Sequence, residues 1–130
     1  MTPSVMASFA ILLTHWATVE SGNNPLAING DCVGLYQQRP IFAQDCNRIV
    51  MYERFKIRNL FDYRFSPHES EAACWVWFKH YHERWVRNGV LDLRAVTLAY
   101  YCGVEGAKKP GPLALNHWKK VNAEIERSKR

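Results

Sequence analysis

The sequence predicts a mainly α-helical fold, or a helix-rich α+β fold, with about five helices and one short β-hairpin or strand segment. Three observations support this prediction. Apolar residues recur at helical spacing in several stretches, start and stop signals bound those stretches, and one short stretch has the character of a strand. The length of 130 residues fits a single domain, residues 1–130, whose core is large enough to fold without disulfide bonds.

The first helix is expected to begin at Pro3, because proline is favoured in the first turn of a helix. Its apolar face continues to Glu20, and the polar segment Ser21–Pro25 ends it. Residues 22–32 are expected to form a loop, and residues 32–38 a short strand or hairpin.

Four further start signals predict four more helices. The start signals are Pro40, the capping box Ser66–Glu69, Asp92 and a position near Leu113. The third helix is expected to run to about Gly89, and the fourth to stop at Gly103. Within the third, the residues that repeat at helical spacing are expected in the core: Trp75, Phe78 and Trp85. Trp77 and Tyr81 share another face, where they would line a cleft or pack against the second helix.

Composition narrows the class of protein. The net charge is +5, and residues 39–130 alone carry +7, so an anionic partner is expected. No apolar run approaches the roughly 20 residues that cross a bilayer. The apolar stretch Met6–Leu13 lacks a preceding Lys or Arg, so it is not expected to be a signal peptide. We therefore expect a protein that is made in the cytoplasm and does not insert into membranes.

The four cysteines allow three disulfide pairings, and none forms a CxxC pair. Free thiols are expected, because no signal peptide is predicted. A zinc site that includes His80 and His82 is not expected, because residues two apart point away from each other on a helix.

Glu20 is the first candidate for chemistry. It lies on the apolar face of the first helix and at its C-terminus. Partial burial and the negative end of the helix dipole both favour the protonated carboxyl group, which is the form that a general acid requires. The alternative is a helix-end glutamate whose carboxylate reaches water.

Three motifs occur in order along the chain: Glu20–Pro25 (ESGNNP), Gly34–Gln37 (GLYQ) and Ala99–Gly103 (AYYCG). This arrangement resembles the soluble lytic transglycosylase family of the lysozyme superfamily, which is related to goose-type lysozymes. The resemblance runs from about His15 to Val121. Stretches that further resemble small phage-type members are Gln37–Pro40, Asp45–Ile49 and Trp118–Val121.

The resemblance implies a lysozyme-like α+β fold with a cleft, and cleavage of the β-1,4 bond between N-acetylmuramic acid and N-acetylglucosamine in peptidoglycan. Glu20 would be the general acid and base, and a lytic transglycosylase would leave a 1,6-anhydro end. A hydrolytic lysozyme is the alternative. Asp31 is then the nearest second carboxylate, although it is also suited to capping a loop. Asp45 is expected on a solvated helix face.

The resemblance also implies substrate-binding residues, which are Ser21, Asn29, Gln37, Tyr100 and Tyr101. Each has a structural alternative, such as ending a helix for Ser21, a turn for Asn29, a polar strand end for Gln37 and core packing for Tyr100. Tyr101 stands where the family has an Asn, which puts substrate affinity or register in doubt.

The expected partners are peptidoglycan glycan strands, with no cofactor, no metal and no nucleic acid. A monomer is expected, with a holin or a virion providing the route to the wall and a phage or prophage as the source. Two other functions stay open. One is a glycan-binding or virion structural protein with weak or no catalysis. The other is a basic nucleic-acid-binding module, for which the charge of +5 is the main support.

Overall fold

The computed structural model describes residues 1–58 and 60–130. It confirms the mainly α-helical class. The helices in these ranges are α1 (Pro3–Ser21), α2 (Pro40–Val50), α3 (Pro67–Tyr81), α4 (Leu93–Cys102) and α5 (Pro112–Ser128). Short 3-10 turns lie at Tyr63–Phe65, His82–Trp85 and Gly106–Lys108.

The strands are short and form antiparallel pairs. They are β1 (Ile28–Asn29) with β2 (Cys32–Val33), β3 (Ile57–Arg58) with β4 (Phe61–Asp62), and β5 (Val86–Arg87) with β6 (Val90–Leu91). The described part of the chain therefore has three small hairpins where the sequence predicted one. The expected loop over residues 22–32 was wrong at β1, which pairs with β2 across Gly30 at φ +62°.

The predicted helix starts are confirmed. Pro40 and Pro112 are the first residues of α2 and α5. Asp92 caps α4, because its Oδ1 accepts a 3.0 Å hydrogen bond from the Ala95 N–H. Gly103 ends α4 in a positive-φ conformation that glycine adopts without strain.

The predicted end of the third helix was wrong. Helix α3 stops at Tyr81, not near Gly89, and is followed by a 3-10 turn and the β5–β6 hairpin. The hairpin turns at the Asn88-Gly89 pair, whose φ angles are +52° and +77°. Two consecutive left-handed residues make the tight turn that suits a two-residue hairpin, and Asn-Gly is the dipeptide that adopts it most readily.

The chain divides into two compact units. Unit 1 comprises Met1–Val19 and His82–Arg130, and unit 2 comprises Glu20–Tyr81. In unit 1, α1 and α4 are joined by a buried 3.1 Å hydrogen bond from the Trp16 indole to the Thr97 hydroxyl. The buried apolar residues on its helices include Phe9, Leu12, Leu13, Val96, Leu98, Val121 and Ile125.

In unit 2, α2 and α3 pack against each other. Trp77 is buried, with its ring centroid 6.0 Å from that of Phe42. The Tyr81 hydroxyl donates a 2.9 Å hydrogen bond to Asp45. Of the two alternatives for Trp77 and Tyr81, packing against the second helix is therefore the one observed.

The expectation that Asp45 lies on a solvated helix face was wrong. It is half-buried, accepts from Tyr81, and forms a 2.6 Å ion pair with Arg48. The expected aromatic core holds for Phe78 and Trp85, although Trp85 lies in the 3-10 turn after α3. Trp75 is half-buried and meets Phe78 edge-on.

None of the helices within the described ranges is long and apolar enough to cross a membrane.

Candidate active site

Helix α1 ends at the first motif. Glu20 and Ser21 are its last two residues, and both are half-buried. Gly22 and Asn23 follow with φ of +62° and +64°, so the chain turns sharply away from the helix axis. The Asn24 N–H returns to Ser21, 3.3 Å from its carbonyl oxygen and 3.2 Å from its hydroxyl. The turn thus fixes the helix end that bears Glu20.

The second motif forms a tight turn after β2. The Val33 N–H donates to the Gln38 carbonyl at 3.2 Å, and the Gln38 N–H donates back to Val33 at 3.1 Å. Residues 34–37 close this turn, with Gly34 at φ +89° and Gln37 at φ +50°. Both residues are buried. The left-handed conformation at Gly34 is one that glycine adopts without a steric penalty.

A side-chain hydrogen bond joins the two motifs. The Ser21 hydroxyl donates to the Leu35 carbonyl oxygen over 2.7 Å. The helix end that carries Glu20 is therefore fastened to the middle of the turn. Ser21 also ends the helix, which was the structural alternative for this residue.

Gln37 is bonded within the loop. Its side-chain NH₂ donates to the carbonyls of Gly34 (2.9 Å) and Ala27 (3.2 Å), and its side-chain oxygen accepts from Asn29 at 2.8 Å. This amide shapes the loop, in line with the structural alternative for Gln37. Asn29 is exposed, so of this pair it is the residue open to a ligand.

Charged groups from three parts of unit 2 surround the half-buried thiol of Cys32. Burial raises the pKa of this thiol, and the carboxylates of Asp31 and Glu20 raise it further, whereas Arg39 lowers it. The thiol also lies 3.7 Å from the Asp31 carboxylate. Glu20, Asp31 and Arg39 are therefore close enough to act on one group. These charges come from the end of α1, from the β1–β2 hairpin and from the residue before α2.

Three residues near this loop were not predicted as site residues from the sequence: Cys32, Arg39 and Arg64. Arg64 is buried and reaches the same loop with its guanidinium group, which donates to the carbonyls of Asp31 and Gln38. For Arg39 the adjacent Gly34–Gln37 motif was an available signal. For Arg64 the sequence holds no such signal, because its two carbonyl partners, Asp31 and Gln38, lie 33 and 26 residues away along the chain.

The third motif lies in unit 1. The half-buried ring of Tyr100 stacks on Trp16 with a centroid distance of 4.3 Å and an interplanar angle of 20°. Tyr101 stacks in the same way on His117, at 4.5 Å and 20°. Tyr100 is thus part of the aromatic packing of this unit, while Glu20, Ser21, Asn29, Asp31 and Gln37 all belong to unit 2.

The described residues contain no group of three or more His, Cys, Asp or Glu side chains placed to hold a metal ion. The four cysteines are free thiols. Cys46 and Cys74 are buried, and Cys32 and Cys102 are half-buried.

Comparison of the chain with models of known protein families, with curated proteins and with solved structures found no match. The resemblance to the transglycosylase family stays a prediction.

Proposed function

We propose that this protein cleaves the β-1,4 bond between N-acetylmuramic acid and N-acetylglucosamine in peptidoglycan, with Glu20 as general acid and base, and that it acts as a lytic transglycosylase. The observation that carries the proposal is the link between the first two motifs. A half-buried glutamate ends a helix, and the next residue, Ser21, is bonded to Leu35 in the GLYQ turn. A carboxyl group whose backbone is held in place is suited to proton transfer to a leaving oxygen.

The proposed reaction needs one carboxyl group. Protonated Glu20 gives its proton to the glycosidic oxygen, and the C1–O4 bond breaks. The resulting carboxylate then takes the proton of the muramic acid C6 hydroxyl, whose oxygen bonds to C1. The product is a 1,6-anhydro end, and Glu20 regains its proton. Because the nucleophile belongs to the substrate, no second carboxylate and no water take part.

The charge distribution supports an anionic substrate. Unit 1 holds ten lysines and arginines against five aspartates and glutamates, whereas unit 2 holds seven of each. The whole net charge of +5 therefore belongs to unit 1. Peptidoglycan is anionic through its peptide carboxylates, so a basic unit on the same chain favours encounter with the wall.

A hydrolytic lysozyme is the second candidate, and one observation favours it. Glu20 and Asp31 both raise the pKa of the Cys32 thiol, and the Asp31 carboxylate lies 3.7 Å from that thiol. Asp31 is exposed, and could assist an attacking water. The two candidates differ in product, since hydrolysis adds one water to the muramic acid end.

Digestion of purified peptidoglycan sacculi tests the proposal. Wild type should release soluble muropeptides, and Glu20→Gln should lower the rate by at least about 100-fold, because general acid–base catalysis contributes that much or more. Glu126→Gln is the matched control, since Glu126 is an exposed glutamate near the C-terminal end of α5, in unit 1. Release by wild type and Glu20→Gln at equal rates would contradict the role of Glu20. No release by wild type from several wall types would favour a glycan-binding or nucleic-acid-binding protein.

A further inference from the structure

Arg64 is a buried cation in unit 2, with its side chain 6% exposed. Asp62 neutralises it. The guanidinium Nη2 lies 2.8 Å from Asp62 Oδ2, and Nε lies 3.0 Å from Oδ1. A buried charge of this kind is costly to desolvate, and the same volume could be filled by apolar side chains. Stability alone therefore does not explain why an arginine is buried at this position.

The remaining guanidinium nitrogen is directed at the site loop. Nη1 of Arg64 donates to the carbonyl oxygen of Asp31 at 2.7 Å and to that of Gln38 at 2.9 Å. These residues are the first and last of segment 31–38, which contains β2 and the GLYQ turn. The backbone of Arg64 touches the same segment, because a Cβ at Gly34 would lie 2.0 Å from the Arg64 carbonyl oxygen. Arg64 thus meets the segment at both ends and at the start of its turn.

The segment holds the groups that define the candidate site. It includes Asp31 and Gln37, and its Leu35 carbonyl accepts the hydrogen bond from Ser21 that fastens the helix end. A planar guanidinium can bind Asp62 on one side and two carbonyls on the other in a fixed geometry. An ammonium group on a flexible stem cannot hold all three in that arrangement.

We propose that Arg64 is a positioning residue of the candidate active site: it fixes the shape of segment 31–38 and, through the Leu35–Ser21 bond, the position of the Glu20 carboxyl group. This proposal rests on the proposed function for its catalytic consequence. Its structural part, that Arg64 makes segment 31–38 rigid, is independent of the proposed function.

Three variants separate positioning from simple stability. Arg64→Met removes all the donors at similar length, and Arg64→Lys keeps the charge without the planar fork. Asp62→Asn is the matched control. It removes the negative charge of the same buried ion pair and is expected to cost stability. The side-chain oxygen of the new Asn can still accept from the backbone N–H of Arg64, which Asp62 Oδ1 now accepts at 2.9 Å, and we expect Nη1 to keep its bonds to Asp31 and Gln38.

Initial rates on soluble, uncrosslinked glycan strands give kcat and KM separately, at a temperature where thermal melts show each variant to be folded. We expect Arg64→Met to lower kcat by roughly 100-fold, as expected for a misplaced catalytic group, with a much smaller change in KM. Arg64→Lys should recover part of the loss, and Asp62→Asn should keep the wild-type kcat. An equal fall in kcat for Asp62→Asn and Arg64→Met would overturn the proposal. If Arg64→Met does not fold, a wild-type kcat for Arg64→Lys would overturn it.

Amide hydrogen exchange provides a readout that needs no catalysis. The N–H groups of Gln37 and Gln38 donate within the turn, to Gly34 and Val33. We expect both to exchange at least about tenfold faster in Arg64→Lys than in Asp62→Asn. Equal exchange in the two variants would overturn the proposal. An inactive wild type with accelerated exchange in Arg64→Lys would refute the proposed function alone, since Arg64 would still be shown to hold the segment.

Discussion

The hydroxyl of Ser21 donates a 2.7 Å hydrogen bond to the carbonyl oxygen of Leu35, fourteen residues further along the chain. The bond connects the last turn of α1 to the GLYQ turn. It is also what brings the first two motifs of the sequence together in space. The position of Glu20 therefore depends on a loop contact as well as on its own helix.

Loss of this hydroxyl should reduce activity more than stability. Ser21→Ala removes the bond to Leu35 and the one that the hydroxyl accepts from the Asn24 N–H, and should cost about 1–2 kcal/mol of unfolding free energy. The proposed cleavage rate should fall by roughly tenfold or more, because Glu20 loses its anchor. Thr14→Ala is the control, since the exposed Thr14 hydroxyl donates within α1, to Ile11. Denaturant melts and sacculus digestion are the measurements. A Ser21→Ala protein with unchanged activity would contradict this role.

The Cys32 thiol reports on the charges around the site. Burial, Asp31 and Glu20 raise its pKa, so it holds its proton to a higher pH than a free cysteine. Because the thiolate is the reactive form, the midpoint of its alkylation rate against pH should lie above that of a model thiol. Asp31→Asn should lower this midpoint, Glu20→Gln should lower it by less, and Arg39→Gln should raise it.

Iodoacetamide labelling with peptide mass spectrometry measures the alkylation of Cys32 separately from that of the other cysteines. Glu71→Gln serves as the control and should leave the midpoint unmoved. If Glu20→Gln leaves the midpoint unmoved, as Glu71→Gln should, the Glu20 carboxylate does not lie near Cys32 and the proposed arrangement of the site is wrong.

Gly34 should tolerate no side chain. It has φ +89°, and an added Cβ would lie 2.0 Å from the Arg64 carbonyl oxygen. Gly34→Ala should therefore cost about 1–2 kcal/mol for the left-handed backbone and about 1–3 kcal/mol more for the overlap. Gly30→Ala is the matched control, because Gly30 has φ +62° with no atom within 4 Å of an added Cβ. Thermal melts should show a clearly larger loss for Gly34→Ala, and equal losses would refute the close contact.

Tyr63, in unit 2, carries a buried hydroxyl group that can be removed as a test of its contribution to stability. The residue is fully buried, and its hydroxyl has no partner among the described residues. Tyr63→Phe should keep the stability at neutral pH or raise it by up to about 1 kcal/mol. Tyr81→Phe, which removes the bond to Asp45, should instead lose about 1 kcal/mol. A large loss in Tyr63→Phe would mean that the hydroxyl does have a partner.

The same phenol makes stability depend on alkaline pH. Burial raises the pKa of Tyr63 above that of the unfolded chain. The folded state then holds the proton more tightly, so this contribution is fully present below about pH 10 and is lost as the pH rises further. Denaturant melts between pH 8 and 11 should show a shallower loss for Tyr63→Phe than for wild type, and identical slopes would argue against the raised pKa.

Much of the helical fold could be predicted from the sequence, because its signals are local. Pro40, Asp92 and Gly103 act through their own backbone geometry, and each lies where the pattern placed it. The end of α3 was missed because apolar spacing continued past it. The Asn88-Gly89 turn signal was present, and its preference for a hairpin outweighs that spacing.

The candidate site could be predicted only in part. The order of the motifs indicated Glu20 and the GLYQ segment, but a motif does not show which polar groups are already bonded to one another. The amide of Gln37 is held by Gly34, Ala27 and Asn29. The contacts of Arg64 span 26 and 33 residues, so no local pattern could reveal them.

Mass spectrometry of the muropeptides that wild type, Glu20→Gln and Asp31→Asn release from sacculi tests the central claim most directly. We predict fragments with 1,6-anhydro ends from wild type and from Asp31→Asn, and none from Glu20→Gln. Fragments heavier by one water, lost in Asp31→Asn as well, would identify a hydrolase with two carboxylates. Equal release by wild type and Glu20→Gln would contradict the claim that Glu20 is the catalytic acid.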